Sequence, residues 1–272
     1  MFKNVNQKTL YKYRVASPKE DLFKIISGGE LRFNSGQAFN DPFDTAISYT
    51  IDKIDTPLVE QWLRQSTIDF MPDSSKEARD SHIAQRLHEI RTDPDEIRWM
   101  RQKQIELNYQ EVGICSLAGS NDNLLMWAHY ADKHAGVCLG IDVKMLWNAA
   151  NVLLQQKQVI DLAEVSYSDK MPKVNFFEAM LHKEDANEIM QFLTTKSVHW
   201  SYENEHRIIH WGRPSTVIRF GSDIISEIVL GCRMASQERE SIIQYCKANH
   251  PQLKVMRSEP DESEFKLNIV SL

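Results

Sequence analysis

Residues 200–210 read WSYENEHRIIH, and the way this stretch is read sets the rest of the chain. Ile208 and Ile209 look like the start of a buried strand. Glu203, Glu205 and Arg207 occupy every second position, so if the strand already begins at Glu203 the three charged side chains share one face, with His206 and Ile208 on the other. Such a charged face leading into a buried strand is unfavourable unless the charges are paired or used. A Glu205–Arg207 ion pair is one answer. A catalytic carboxylate oriented by a neighbouring arginine is the other.

Outward from that strand, residues 175–199 form a region without Gly or Pro that predicts a long helix. Beyond it, strands are expected at 207–210, 216–220, 224–230, 254–257 and 264–270, with a helix over 236–249. Upstream, 9–15 (TLYKYRV) reads as an aromatic-rich strand. Ser17, Pro18 and Glu20 form a capping-box pattern opening a helix that stops at Gly28-Gly29. Residues 30–34 make a strand, and SGQAFNDPFD over 35–44 makes a polar loop. Residues 56–110 are charged and contain no Gly, with apolar residues at helical spacing: Leu58, Trp62, Leu63; Ile83, Leu87, Ile90; Ile97, Met100, Ile105. They predict two or three amphipathic helices, broken near 72–75 and 92–94. Apolar strands at 112–117 and 136–142 flank a helix over 123–131, and a helix at 144–154 precedes a strand over 158–167. This irregular interleaving lacks a βαβ rhythm and a glycine fingerprint after the first strand, which argues against a doubly wound dinucleotide fold. The expectation is an α+β class, one domain over 1–272 with a mixed, largely antiparallel sheet and a helical insertion at about 56–110.

The 272 residues are 42% hydrophobic and 26% charged, ordinary for a soluble globular chain, and the net charge of −6 argues against indiscriminate nucleic-acid or membrane binding. Cys115, Cys138 and Cys232 lie in apolar stretches and no CxxC pair occurs, so buried free thiols are expected rather than a zinc cluster or a disulfide framework. The N-terminal segment lacks the apolar core of a signal peptide, and no apolar run approaches the roughly 18 residues of a membrane span. A cytoplasmic protein is expected.

Four stretches are candidates for chemistry, each with a structural alternative. In LYKYR (10–14), Tyr11 and Tyr13 face one way while Lys12 and Arg14 face the other; the two cations could hold a phosphate or carboxylate, or be solvated on an edge strand. In FNDPFD (39–44), an Asx-type turn anchored by two phenylalanines either presents Asn40, Asp41 and Asp44 to a ligand or is loop architecture. In LLMWAHY (124–130), Met126 and Tyr130 share a helix face, as do Trp127 and Tyr130; such an aromatic stripe is more often core than a cofactor site, and His129 alone is weak evidence. The fourth stretch is the opening one, where a metal set of His199, Glu203, His206 and His210 is a weaker reading without an HExxH arrangement.

Taken in order, LYKYR, FNDPFD, NLLMWAHYADKHAGVCLGID and YENEHR resemble the signature of a large bacterial family of unknown function, over nearly the whole chain except 56–110. The layout also resembles the ADP-ribosyltransferase superfamily: 21–26 and 29–31 fit its pattern of a helix, a glycine and a strand after a first-strand His or Arg. Lys12 stands where His is common, and Arg14 is the alternative. That resemblance implies an ADP-ribosyltransferase-like sheet with NAD as substrate. It implies Glu205, Glu203 and Tyr130 as catalytic residues. Lys12, Tyr13, Arg14, Asn40, Asp41, Trp127 and Arg207 would contact NAD, with Trp127 and Tyr130 stacking on nicotinamide. Glu205 is favoured as the catalytic acid because it lies nearer the buried strand. No metal is required. The implied partners are a macromolecular acceptor, protein or nucleic acid, and an antitoxin if the chain is a toxin or phage-defence effector; no membrane is involved. The alternatives are a metal-dependent nuclease or hydrolase using Asp41, Asp44, Glu203, Glu205 and His129, and a non-catalytic binding module.

Overall fold

A computed structural model describes residues 5–46, 48–51, 57–181, 187–212 and 214–272. In chain order the first elements are β1 (Thr9–Arg14), α1 (Lys19–Gly28), β2 (Glu30–Phe33), β3 (Tyr49–Thr50), α2 (Pro57–Phe70), α3 (Lys76–Thr92), α4 (Pro94–Glu111), β4 (Val112–Ala118), α5 (Leu124–Tyr130), β5 (Val137–Asp142), α6 (Val143–Gln155) and β6 (Val159–Glu164). There follow β7 (Ser166–Ser168), β8 (Val174–Asn175), α7 (Phe176–Leu181), α8 (Asn187–Thr194), β9 (Thr195–Ser197), β10 (Glu205–Trp211), β11 (Thr216–Arg219), β12 (Ile225–Leu230), α9 (Ser236–Asn249), β13 (Lys254–Pro260) and β14 (Leu267–Ser271).

The fold is α+β. Its main sheet has eight strands in the order β14-β13-β12-β5-β1-β4-β10-β6. Every neighbouring pair in it is antiparallel except β12–β13, which is parallel and joined through α9. One face is covered by the apolar stripes of α1, α6 and α9, where Leu22, Ile26, Leu146, Ala150, Ile242 and Cys246 pack on Leu10, Leu139, Ile208 and Ile228. β1 is an interior strand, not the edge strand that one reading of LYKYR allowed.

The charged block forms three helices, α2 to α4, and α4 runs directly into β4. Val59, Leu63, Ile83, Ile90 and Met100 pack with Phe176, Phe177 and Phe192 in a cluster of their own. The spacing of apolar residues thus gives one buried stripe per helix. Residue 56, the expected start of this block, and residues 1–4 of the N-terminal segment lie outside the described residues.

Four expectations need correction. Ser17 caps no helix: Pro18 occupies the N-cap position of α1 and no side chain bonds there. The C-terminal stop holds, because Gly29 has φ 59 and a Cβ there would lie 2.2 Å from the Gly221 carbonyl oxygen. The long helix expected over 175–199 breaks into α7 and α8 and ends at Thr194, with residues 182–186 outside the described residues. The β-branched pair Thr194-Thr195 then passes into β9, which pairs in parallel with β7. Finally, β10 begins at Glu205, since Glu203 closes a 3-10 turn and Asn204 sits at φ 43. As for the thiols, Cys115, Cys138 and Cys246 are buried, whereas Cys232 is half-buried.

Candidate active site

The site arises where the sheet splits. β1 pairs with β4 only at Tyr11–Ala118. Beyond that point Asn34 takes over the β4 edge, exchanging two hydrogen bonds with Ile114 at 2.9 and 2.8 Å. The wedge between the strands opens into a cleft of about 460 Å3, within the range of small-molecule sites. Lys12, Asn40, His129, Tyr130, Lys196, Glu203 and Glu205 line it. Lys12 fills the fork itself, donating from Nζ to the Ser116 carbonyl at 2.7 Å.

Glu203 and Glu205 converge without sharing a strand. The left-handed Asn204 turns the backbone between them, and its carbonyl accepts from Gly119 N at 2.9 Å. That approach needs Gly119, because a Cβ there would meet Asn204 Nδ2 at 2.1 Å. Asn123 caps α5 and donates to the Tyr202 carbonyl at 2.7 Å, tying α5 to the turn that carries Glu203.

Both carboxylates meet Lys196, a buried lysine on β9. Its Nζ lies 2.5 Å from Glu203 Oε2, 3.0 Å from Glu205 Oε2 and 3.4 Å from Asp44 Oδ2. Burial opposes its charge, but Glu205, Asp44 and Glu203 together hold its pKa above the usual lysine value. Arg207 is fully buried (0% exposed) and satisfied: it donates to Glu205 Oε1 at 2.9 Å, the Leu193 carbonyl at 2.7 Å, and both Asp44 oxygens at 2.7 and 2.8 Å. Against the upward push of burial, Arg207 and Lys196 bring the Glu205 carboxyl down to about 2. Glu203 is held differently, by Lys196 on one oxygen and by the Tyr130 hydroxyl at 2.7 Å on the other. Burial and then the Glu203 carboxylate raise the Tyr130 pKa, so this phenol stays protonated and donates. Three carboxylates thus face two cations within this cluster, and Lys12 in the fork brings the charges around the cleft into balance.

The cleft brings together Lys12, Tyr13, Asn40, Tyr130, Glu203 and Glu205 of the sequence-predicted set, but not Arg14, Asp41, Trp127 or Arg207. Trp127 is fully buried, donating to the Asn121 carbonyl at 2.8 Å, so its ring offers no stacking surface. Tyr13 reaches the cleft but packs edge-on against Trp127, and its hydroxyl donates to the Ser120 carbonyl at 2.9 Å. Arg14 turns aside to the Val15 carbonyl. Asp41 serves the loop, accepting from Phe43 N at 2.9 Å and Trp200 Nε1 at 2.7 Å, while Phe43 is exposed rather than an anchor. Arg207 positions Glu205 and Asp44 from behind. The metal set is not assembled: His199 is exposed, and His206 lies on the sheet face opposite Glu205, within a buried strand. Among the described residues no three His, Cys, Asp or Glu side chains are grouped to hold a metal ion. Lys196 was absent from the sequence reading, because a lone lysine within an expected helix gives no sign that it is buried.

Comparison with known proteins matches residues 126–208 to a family described as "Protein of unknown function (DUF2971)". The matched segment runs from α5 into β10 and carries Tyr130, Lys196, Glu203, Glu205 and Arg207. No curated protein and no solved structure matches the chain significantly. No helix among the described residues is long and apolar enough to cross a membrane.

Proposed function

We propose that this chain is an ADP-ribosyltransferase that uses NAD as its substrate and passes ADP-ribose to a macromolecular acceptor. The observation that carries the reading is Glu203, anchored by Tyr130 and Lys196 on the wall of the cleft. The layout of the first strand and of residues 21–26 and 29–31, which resembles the superfamily, supports it. In this chemistry the C1′–N bond to nicotinamide breaks and its electron pair leaves with the neutral base. Positive charge grows on the ribose as in glycoside cleavage. The acceptor nucleophile then bonds to C1′ and gives up its proton to a base. A carboxylate placed beside the ribose stabilises the oxocarbenium-like state: one negative charge at about 5 Å and an effective dielectric of ~20 contributes on the order of 3 kcal/mol, roughly a hundredfold in rate.

The geometry favours Glu203 over Glu205 as the acid that touches the ribose. Glu205 is held by two cations, Arg207 on both oxygens and Lys196 on one, whereas Glu203 meets a single cation, Lys196, and takes its other hydrogen bond from a cleft-lining phenol. Lys12 and Asn40, which also line the cleft, are donors suited to the polar remainder of NAD. The fully paired Glu205–Arg207–Asp44 cluster supports one rival, a non-catalytic binding module in which these charges only hold the fold.

The test is nicotinamide release from NAD, and label transfer from NAD in a cell lysate, for wild type, Glu203→Gln and Tyr130→Phe. Turnover that falls about a hundredfold in Glu203→Gln without loss of fold supports the reading. A folded wild type that neither binds NAD nor releases nicotinamide removes it. Activity abolished by EDTA would favour the metal-dependent hydrolase.

A further inference from the structure

The parallel pair β12–β13 with its crossover helix α9 departs from the antiparallel pattern of the rest of the main sheet. In units of this kind ligands bind beyond the carboxyl ends of the strands, where the helix begins. A cavity of about 100 Å3 lies at that place, lined by Gly231 and Cys232 after β12, residues 257–260 at the end of β13, and Arg239 in the first turn of α9. It is on the far side of β5 from the cleft.

Its chemistry is that of an incomplete anion site. Arg239 donates from Nη2 to the Met234 carbonyl at 2.9 Å, and Arg257 pairs through Nη2 with Glu259. The Nε–H of each guanidinium is buried and has no acceptor. Both side chains are only partly buried, Arg257 being 41% exposed, so two guanidiniums at one small cavity present a concentrated positive charge to an anion entering it. Two guanidiniums against the single carboxylate of Glu259 leave the lining with one positive charge in excess, in a chain of net charge −6. The volume equals about three liquid waters, enough for one tetrahedral oxyanion but not for a nucleotide.

We propose that this cavity binds a single phosphoryl-type oxyanion, held by Arg239 and Arg257. Arginine suits the role because its planar fork offers several donors to one oxyanion. The anion is either free phosphate or the terminal phosphate of a larger molecule whose remainder stays outside.

Cys232 supplies a local readout, since it lines the cavity and is half-buried while Cys115, Cys138 and Cys246 are buried. The experiment follows alkylation of Cys232 by N-ethylmaleimide, by peptide mass spectrometry, at constant ionic strength. Inorganic phosphate should slow it several-fold and saturably, where chloride does not. Arg239→Gln and Arg257→Gln should each weaken the apparent affinity roughly tenfold. Glu259→Gln should retain or tighten it. Protection by AMP but not adenosine identifies a terminal phosphate as a sufficient ligand, and protection by phosphate alone identifies the free anion. Absence of protection by any of these anions overturns the proposal, as does protection equal in wild type and a folded Arg239→Gln protein, which would mark an adventitious ion only.

Discussion

Replacing Glu205 with glutamine separates the structural half of the cleft wall from the half assigned to chemistry. Glu205 is 3% exposed and accepts from Arg207 and Lys196. Its carboxyl stands at about 2 instead of 4.5, which at 1.36 kcal/mol per pH unit corresponds to on the order of 3 kcal/mol of folding stability at neutral pH. Breaking one side of a buried pair costs about 3–5 kcal/mol. The lower end applies because Asp44 still holds both Arg207 and Lys196. For a chain of this size the melting temperature should fall by roughly 6–12 °C. The pH dependence has a definite sign. A carboxyl whose folded pKa is depressed stabilises above its unfolded value, and that stability is lost as pH falls through the folded one. The gap between wild type and Glu205→Gln should therefore be full at pH 7, narrow to about 2 kcal/mol near pH 3.5 and close toward pH 2. Urea titrations of both proteins at pH 7 and 3.5 measure it. A variant as stable as wild type at pH 7 would refute the assignment of Glu205 as an anchored ion-pair partner.

Glu203→Gln breaks one ion pair while Lys196 keeps Glu205 and Asp44, so it should lower the melting temperature less than Glu205→Gln does, while nicotinamide release drops about a hundredfold. Tyr130→Phe removes the 2.7 Å bond to Glu203 and should lower stability by about 1 kcal/mol, with activity falling alongside; calorimetry and the release assay read the two effects. Gly119→Ala forces a Cβ onto Asn204 and should cost about 1–3 kcal/mol, and Asn204→Gly in the same chain should recover most of it in a thermal melt, because glycine removes the clash and accepts φ 43. Lys196→Met leaves three carboxylates with one cation; the urea midpoint at pH 7 should drop by the equivalent of about 3 kcal/mol or more, and acidification should narrow the deficit as the carboxylates protonate.

The sequence by itself determined what local rules control. Apolar spacing gave the helices of the charged block and the strands of the sheet, Gly28-Gly29 ended α1, and the lack of a βαβ rhythm excluded a doubly wound fold. It also singled out Glu203 and Glu205, because charges at the mouth of an apolar strand need a reason, and Tyr130 through the resemblance to the superfamily. Alternation states which face a side chain takes but not how deep it lies or what reaches it from elsewhere. That is why Trp127, Arg14 and Asp41 looked available for a ligand and are instead turned into the core, aside to the Val15 carbonyl or into a loop lock. The tertiary structure alone decided that Lys196 leaves a helical context to meet three carboxylates, that Asp44 crosses 163 positions to reach Arg207, and that the Asn204 turn brings Glu203 beside Glu205. The physical reason is that a buried charge is stable only with its partners in place, and those partners are brought together by packing rather than by sequence spacing.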